Sequence, residues 1–379
     1  MVDIATQKDR IQNQRTDRAV LRVVLVSPPF DASGGVGRLM SYVLETLSDQ
    51  EVSTRHVDSR GRSSHPAWSV VPMLRTLLIL SFLKARKRVD LVHINLSHGG
   101  STIRKTAVAS WCRLLRIPTV LHLHSYEYHD FYRDLSRTLQ RVVRGVFLRA
   151  DHVIVLGQIW ADFLVQELGV PKDKLSILYN AAPGPSAPPL RNASDGSEVR
   201  LLFLGELGPR KGVPELLQAL AQLPVMPSPW TITMAGNGDI AGTRRAASEL
   251  GILSRIELGG WLDPEGVRRL LGSSDIMILP SHLEGSPMAI VEAFAHAVAV
   301  VSTPVGAIPE IVTHGQSGLL VPAGDVVALR EAIGALCTDV RLRSKLASAG
   351  RQVWEEKLTI EAYSHQLVQV WSEVPRSVK

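Results

Sequence analysis

The sequence predicts an α/β protein built from two Rossmann-like domains, each with a mostly parallel sheet. With 379 residues the chain exceeds what one hydrophobic core commonly serves, so two domains are expected. Short apolar runs rich in β-branched residues alternate with amphipathic stretches, as in βα repeats. A proline-rich stretch at 183–198 interrupts this alternation, which then restarts. Ligands of such proteins bind at the carboxyl ends of strands and between domains.

The first half of the chain opens as a βαβ unit. Residues 21–27 are a predicted buried strand, a glycine-rich turn follows at 33–37, and residues 38–47 have helical apolar spacing. Further strands are predicted at 90–96, 119–124 and 152–157. We therefore expect a first domain at 20–182, preceded by a disordered polar tail at 1–19. Because that tail lacks the apolar run of a secretion signal, a cytoplasmic location is expected.

The second half repeats the same pattern after the predicted linker at 183–198. A helix is expected at 214–223, and strands are expected at 199–207, 230–236, 255–260, 275–280, 297–303 and 318–322. The second domain is therefore placed at 199–355. Residues 356–379 are expected to be helical.

Composition and charge restrict the classes of function. Cys112 and Cys337 lie far apart, which fits a reducing compartment and argues against a disulfide framework or a zinc cluster. The net charge of +6 is uneven: residues 1–190 hold 25 Lys and Arg against 16 Asp and Glu, and residues 191–379 hold 17 against 20. A basic first half indicates an anionic partner such as nucleic acid, an acidic glycan or a membrane surface, or simply a solvated basic surface.

One segment of the basic half, residues 68–88, is apolar and ends in four cations. Pro72 and Arg75 interrupt it, and it is too short to span a bilayer comfortably. It fits a helix that lies on an anionic membrane surface. It equally fits a core helix whose last turn is basic, because cations there suit the helix dipole.

Two glutamates eight positions apart mark the stretch HLEGSPMAIVEAFA, residues 282–295. A strand should end just before it, with Ser286 as N-cap of the next helix and Pro287 at its first position. The N-terminus of that helix is an anion site suited to phosphate. Glu292 then lies about 9 Å further along the axis, where its carboxylate would accept hydrogen bonds from a ribose diol. Glu284 would face whatever lies beyond the phosphates; alternatively both glutamates are solvated.

Two further groups of polar residues follow predicted strands. Arg210 and Lys211 sit in a Pro-Arg-Lys-Gly turn, and two cations there suit a leaving pyrophosphate, although a charged surface turn is the alternative. His124 ends its strand and points towards the cleft, with His122 on the same face. Together with Glu127 and His129, these histidines also form a candidate metal cluster.

These motifs together resemble the family-4 retaining glycosyltransferases. Glu284 and Glu292 match the E-x7-E pattern of that family. Other stretches that resemble its blocks are SGGVGR (33–38), LHLHSYEYHDF (121–131), SILYNAAP (176–183), GELGPRKGVPELLQAL (205–220), MAGNGD (234–239) and STPVGAIPEIVTHGQSGLLVPAGD (302–325). The resemblance covers most of residues 22–330. It implies the GT-B fold, in which two Rossmann-like domains with parallel sheets face each other across a cleft.

The resemblance also implies a role for each matched residue. The groups expected at the reacting centre are His124, Arg210, Lys211 and Glu284. Arg210 and Lys211 would hold the diphosphate. His124 and Glu284 would face the donor sugar. The groups expected to bind the rest of the donor are Gly34, Gly35, Gly285, Ser286, Pro287, Met288 and Glu292, with Glu292 on the ribose. No metal and no cofactor is implied. The first domain is expected to bind the acceptor, and the last helix to return towards it.

The sequence departs from the family pattern at two places. A small residue followed by Gly and Pro is common after the helix that carries the second glutamate, whereas this chain has His296-Ala297-Val298-Ala299. The second departure is GEL at 205–207 in place of the commoner GRL. The change at 296–299 puts the conformation of that turn in doubt. The change at 205–207 leaves phosphate binding in this region to Arg210 and Lys211.

The predicted function is transfer of a sugar from a UDP- or GDP-sugar to an acceptor hydroxyl, with retention of configuration. The acceptor is expected to be a glycan or lipid-linked glycan of a bacterial envelope or exopolysaccharide, with contact to the inner face of the plasma membrane and no nucleic acid partner. Alternatives are a GT-B sugar-nucleotide epimerase or phosphorylase and a non-catalytic glycan- or lipid-binding partner. A nucleotide-cofactor oxidoreductase is disfavoured because residues 34–37 lack the G-x-G-x-x-G spacing.

Overall fold

The computed structural model describes residues 20–29, 35–47, 52–61, 70–189 and 197–375, and all structural statements concern these residues. The predicted tail at 1–19 lies outside them, as do Gly34 and residues 190–196 of the predicted linker. Within the described part, no helix is both long and apolar enough to cross a membrane.

A six-stranded parallel sheet forms the first half of the chain. Its spatial order is β2-β1-β3-β4-β5-β6. The strands are β1 (Leu21–Ser27), β2 (Val52–Asp58), β3 (Leu91–Leu96), β4 (Thr119–Leu123), β5 (His152–Val155) and β6 (Leu175–Ile177). The helices that flank this sheet are α1 (Gly35–Leu47), α2 (Val70–Ala85), α3 (Gly100–Leu114), α4 (Tyr128–Asp134), α5 (Arg137–Arg149) and α6 (Gln158–Gln166).

A second six-stranded parallel sheet follows, in the order β12-β11-β10-β7-β8-β9. Its strands are β7 (Val199–Leu204), β8 (Trp230–Ala235), β9 (Ile256–Gly260), β10 (Ile276–Leu279), β11 (Ala299–Ser302) and β12 (Leu319–Leu320). The helices around it are α7 (Val213–Ala221), α8 (Ile240–Glu249), α9 (Pro264–Ser273), α10 (Met288–Ala295), α11 (Ile308–Ile311), α12 (Val326–Thr338), α13 (Val340–Val353) and α14 (Ile360–Glu373). The predicted α/β class with two Rossmann-like sheets is thus confirmed.

The two strands that the sequence did not predict, β2 and β6, are the edges of the first sheet. β2 leaves most of its residues partly or fully exposed, and β6 has only three residues, all half-buried. Central parallel strands are buried on both faces and read as continuous apolar runs, whereas edge strands do not. Their missing apolar signal is therefore a consequence of their position in the sheet.

The end of the chain crosses back to the first sheet. After a π-helical turn at Trp354–Leu358, α14 packs against α1. Trp371 on α14 is fully buried, and its Nε1 donates a hydrogen bond to Nδ1 of His93 on β3 at 3.1 Å. Ala182 pairs with Thr359 in an isolated parallel bridge, so the outgoing and returning segments run side by side.

Ala297, one of the residues that depart from the family pattern, ends helix α10 in a left-handed conformation. Its φ is +51°, a value that glycine adopts far more easily than alanine. The N–H of Ala297 donates to the carbonyl of Phe294 at 3.0 Å, and the N–H of Val298 donates to the carbonyl of Ala293 at 2.9 Å. These bonds satisfy the last carbonyls of the helix. The turn therefore forms without glycine, at the expense of backbone strain.

We predict that Ala297→Gly stabilises the protein by roughly 0.5–1 kcal/mol, because glycine removes the strain of the left-handed turn. The free energy of unfolding in guanidinium measures this effect. The matched control is Ala299→Gly in strand β11, which should destabilise the fold by about 1 kcal/mol because glycine weakens an extended strand. Equal destabilisation by both substitutions would contradict the prediction.

Candidate functional site

A cleft of about 560 Å³ lies between the two sheets, at the carboxyl ends of their strands. Ten of the eleven predicted site residues line it, and the eleventh, Gly34, lies outside the described residues. The ten are Gly35, His124, Arg210, Lys211, Glu284, Gly285, Ser286, Pro287, Met288 and Glu292. Residues that are far apart in sequence are thus brought together, although their roles stay predictions.

The loop that carries Glu284 is held from both sides. Glu284 is buried, and its Oε1 accepts hydrogen bonds from the Lys211 ammonium and, at 2.8 Å, from Ser281 Oγ. Lys211 lies one residue before Gly212, whose φ of +70° turns the chain back towards Pro280. A Cβ at Gly212 would lie 2.0 Å from the Pro280 carbonyl oxygen, so only glycine fits this turn. The turn thereby fixes the cations next to the Glu284 loop.

The prediction that Ser286 caps helix α10 is wrong. The helix spans Met288–Ala295, Pro287 occupies the N-cap position, and no side chain caps this end. Ser286 Oγ instead accepts a hydrogen bond from the N–H of Asn180 at 3.3 Å, and the Asn180 side-chain amide donates to the Ser286 carbonyl. The hydroxyl is engaged by the segment that leaves the first sheet. Met288 and Ala289, the first two residues of α10, line the cleft at this uncapped end.

Glu292 is buried in the cleft and is paired with a residue of the opposite half. Nη1 of Arg38, on helix α1, donates to both carboxylate oxygens of Glu292 at 3.1 Å, and Tyr42 OH donates to Oε1 at 3.4 Å. Burial raises the pKa of Glu292 above its ordinary value, and the positive charge and hydrogen bond of Arg38 act against that rise. The carboxylate that the family resemblance predicts to bind a ribose diol therefore has Arg38 as its partner in this structure.

Arg210 belongs to the second half and extends across the cleft towards the first half. Its Nη2 pairs with Glu206 Oε2 at 2.9 Å, and its guanidinium lies 5.0 Å from the ring centroid of Tyr126 in the first half. Burial acts to lower the pKa of Arg210, but the hydrogen bond to Glu206 and the neighbouring acidic groups outweigh it, so the pKa is raised. Glu206 is the residue that replaces the family's arginine in the GEL stretch. The Glu206 carboxylate orients the guanidinium of Arg210.

Three histidines stack beneath the cleft and stay neutral at pH 7. The rings of His122 and His124 have centroids 3.8 Å apart, and His124 Nε2 lies 2.7 Å from Asn95 Oδ1. Burial, with smaller contributions from neighbouring positive groups, lowers the pKa of His124 to about 3. Burial lowers the pKa of His93 to about 4 and that of His122 well below its usual value. His124 therefore meets the cleft as a neutral hydrogen-bonding ring.

The alternative of a metal cluster at these histidines does not form in the described part of the chain. There, no group of three or more His, Cys, Asp or Glu residues is arranged to hold a metal ion. His124 is engaged by Asn95, and His129 points to Asp130 at 3.4 Å. The four residues follow one another in sequence but do not converge.

Several residues of the cleft were not singled out from the sequence. Arg38, Tyr126 and Asn180 come from the first half, and Asn237 and Trp261 come from the second. Four of them lie within the motif blocks, in SGGVGR, LHLHSYEYHDF, SILYNAAP and MAGNGD, where spacing alone gave them no chemistry. Trp261 is 54% exposed, and a large aromatic ring with that exposure at a cleft is suited to stacking, but neither its exposure nor its position could be read from the sequence.

The cleft brings several kinds of polar group together. Two cations and a helix N-terminus suit a diphosphate. A buried carboxylate on one side suits a diol, and a carboxylate with a neutral imidazole on the other suits sugar hydroxyls. The cleft is therefore chemically suited to a diphosphate flanked by two polyhydroxylated groups.

Models of two protein families match the chain, one on each half. The model described as "Glycosyl transferase 4-like domain" matches residues 12–181, and "Glycosyl transferases group 1" matches residues 198–339. A curated relative, the amylovoran biosynthesis glycosyltransferase AmsK of Erwinia amylovora, is 27% identical over 266 residues, which are 67% of this chain and 63% of AmsK. The chain spans about half to two thirds of the length of the curated relatives it matches.

Solved structures with the same fold cover nearly the whole chain. The sucrose-phosphate synthase (tll1590) of Thermosynechococcus elongatus superposes with a TM-score of 0.74 at 19% identity, covering 93% of this chain and 98% of that protein. Anabaena HepE, solved in complex with UDP-glucose, has a TM-score of 0.70 at 17% identity, covering 93% and 99%. These similarities establish the GT-B fold that the sequence predicted.

We predict that the histidine stack makes the fold acid-sensitive. A buried histidine whose native pKa is lowered binds its proton mainly in the unfolded state, so stability falls as pH falls below about 6.5. His122→Leu removes one such group, and no hydrogen bond is lost because neither ring nitrogen has a partner. Between pH 7 and pH 5 the variant should therefore lose about 2 kcal/mol less unfolding free energy than the unaltered protein.

Guanidinium unfolding at pH 7 and pH 5 measures this difference. The matched control is His365→Leu, which replaces a histidine exposed on helix α14 and should leave the pH dependence unchanged. If His122→Leu and the unaltered protein lose the same free energy between the two pH values, the histidine stack is not the source of the acid sensitivity.

Proposed function

The chain belongs to the glycosyltransferases that these two family models describe, and on that premise we propose that it transfers a sugar from a nucleoside diphosphate sugar to an acceptor hydroxyl with retention of configuration. The observation that supports this most directly is the convergence of Arg210, Lys211, Glu284, Glu292 and the N-terminus of α10 on one cleft. These groups come from separate loops, and a solvated role for the two glutamates does not fit their burial.

In the proposed donor complex, the diphosphate lies between the Arg210–Lys211 turn and the free amides at the start of α10. The ribose hydroxyls bind the carboxylate of Glu292, which requires Arg38 to leave it. Once released from Glu292, the Arg38 guanidinium remains beside the diphosphate, which becomes its new anionic partner. Trp261 is available to stack on the base. Uridine is the base we expect first, since HepE of the same fold was solved with UDP-glucose.

The proposed transfer occurs on one face of the donor sugar. The acceptor hydroxyl attacks C1 as the bond from C1 to the phosphate oxygen breaks, and its proton passes to the departing phosphate oxygen. Arg210 and Lys211 stabilise the negative charge that grows on this oxygen, so the proposal requires no metal or cofactor. Lys211 already balances the charge of Glu284, which leaves that carboxylate as an acceptor for sugar hydroxyls.

We further propose that the acceptor is a glycan or lipid-linked glycan in the assembly of a bacterial envelope polysaccharide. AmsK is described as an amylovoran biosynthesis glycosyltransferase, and other relatives as colanic acid or lipopolysaccharide core biosynthesis glycosyltransferases. The acceptor would bind on the first sheet's side of the cleft. A cytoplasmic protein located at the inner face of the plasma membrane would suit this role.

We predict that UDP raises the melting temperature of the protein and that Glu292→Gln largely abolishes the rise. A ligand that binds only the native state stabilises it by mass action. The neutral amide is a weaker acceptor for the ribose diol, so the Kd for UDP should rise roughly 10- to 100-fold, whereas pyrophosphate should bind both proteins alike. Thermal unfolding with UDP, GDP, ADP, dTDP and pyrophosphate measures these effects.

Glu310→Gln is the matched control for that experiment. Glu310 is also a carboxylate that joins the two halves, accepting from the N–H of Gln158 and from Tyr179 OH at 2.9 Å, but it does not line the cleft. Equal loss of the UDP effect in both variants, or none in Glu292→Gln, would overturn the assignment of the ribose site. If the protein converted the donor into its free epimer and formed no glycosylated acceptor, it would be an epimerase.

We predict that Lys211→Met lowers kcat for sugar transfer about 100- to 1000-fold, because one cation on the leaving phosphate is lost. The donor KM should change less, since the charge on that oxygen is greatest in the transition state. Steady-state transfer assays measure both constants. Lys345→Met, at an exposed position of α13, is the control and should leave both unchanged. A rise in KM with kcat unaltered would restrict Lys211 to donor binding.

A further inference from the structure

Helix α2 presents an apolar stripe to solvent on its outer face. The stripe consists of Val70, Val71, Leu74, Leu78 and Phe82, each between 48% and 71% exposed. The opposite face of the helix is the buried one, through Thr76, Leu80 and Leu83. Most of the stripe recurs at three- or four-residue spacing, which places it along one side of the helix. A soluble surface seldom keeps so many large apolar side chains together without a partner.

The neighbouring helix α3 also carries exposed apolar side chains. Trp111 Nε1 donates to Ser81 Oγ at 3.0 Å, and Lys84 Nζ donates to the Arg116 carbonyl at 3.1 Å, so the two helices are held side by side. On α3, Ile103 and Leu114 are exposed by 71% and 69%. Exposed apolar side chains are thus found on both of these adjacent helices.

Helices α2 and α3 and the residues just after them carry cations and no acidic residue. Residues 70–88 contain five Lys and Arg and no Asp or Glu, and the same absence of acids holds for residues 100–116. Arg86 lies over the ring of Phe82, 5.3 Å from its centroid. Asp90, the one acidic residue between the two helices, is ion-paired with Arg22 at 2.6 Å. The partner of this surface must accept apolar side chains and cations together.

We propose that the apolar stripe with its flanking cations is a docking surface for an anionic lipid bilayer, with α2 lying flat in the headgroup region. A helix with apolar side chains on one side and cations beside them matches the two components of such a surface. At 16 residues α2 is about 24 Å long, too short to span the bilayer but long enough to lie along it.

Self-association through the same stripe is disfavoured by charge. A symmetric dimer brings each surface patch against its own copy. Here it would bring the cations of residues 84–88 close to those of a second chain, with no acidic residue of α2 or α3 to balance them. An anionic bilayer supplies that balance from its headgroups.

The topology places the stripe beside the acceptor side of the cleft. Helices α2 and α3 follow strands β2 and β3, and the carboxyl ends of parallel strands share one edge of the sheet. His124, which follows β4 at that same edge, lines the cleft. The first residues of both helices, including Val70, Val71 and Ile103, therefore lie at the cleft side of the domain. A docked bilayer would lie next to the acceptor site; this last step, unlike the docking itself, rests on the proposed transferase function.

Co-sedimentation of the full chain with lipid vesicles tests the proposal. We expect binding to vesicles of one part phosphatidylglycerol to two parts phosphatidylcholine, with weak binding to pure phosphatidylcholine and weakening at high salt. The triple variant Leu74→Asn, Leu78→Asn, Phe82→Asn should bind the anionic vesicles with an affinity that is lower by about tenfold or more. The variant Arg75→Gln, Arg86→Gln, Arg88→Gln should lose the preference for the anionic lipid.

The matched control is Ile159→Asn, Val225→Asn, Val327→Asn, which removes exposed apolar side chains from other surfaces and should bind as the unaltered protein does. Failure of the unaltered protein to bind anionic vesicles, or equal loss in the control, would overturn the proposal. The proposal would also be overturned if the unaltered protein were a dimer and only the triple Asn variant of α2 were a monomer. The UDP-induced rise in melting temperature, measured on every variant, reports on the donor site separately, so failure of docking and failure of the proposed function remain distinguishable.

Discussion

The ion pair between Arg38 and Glu292 is the constraint on which the geometry of the cleft depends. A carboxylate as buried as Glu292 needs a compensating charge, and its own half of the protein does not provide the one it uses. The partner comes from α1, on the opposite sheet. The cleft is thereby held in a narrow arrangement, with Gly35 close to Met288 because no side chain intervenes at that glycine. This charge pair is one of the contacts that join the two halves, in addition to the apolar cluster that runs between them.

Other polar contacts between the halves lie in the cleft and beside it. Asn180 holds the Ser286 turn, Glu310 receives hydrogen bonds from Tyr179 and from the start of α6, and Arg210 lies over Tyr126. Each pair joins a residue of one half to a residue of the other. Because these polar contacts are separate from one another, they set the register of the two halves at several points.

The sequence predicted the central strands of both sheets within a few residues because burial on two faces leaves continuous apolar runs. It missed β2 and β6, whose edge positions leave no such runs. In the cleft, motif spacing identified Glu284, Glu292, Arg210 and Lys211. Spacing did not reveal Arg38, because its role depends on the approach of two distant helices. Ser286 was assigned to a cap from local preference, and a tertiary contact with Asn180 overrode that preference.

The side-by-side crossing of the chain at Ala182 and Thr359 has a mechanical consequence. Both connections between the halves pass through one place, where the N–H of Ala182 donates to the carbonyl of Leu358 at 3.2 Å and Trp354 Nε1 donates to the carbonyl of Ala182 at 2.9 Å. Because the two connections lie at a single point, a rotation of one half against the other would be centred there, and a few degrees would displace the cleft mouth by ångströms. Helix α14, bound to the first sheet through Trp371, would move with the first half.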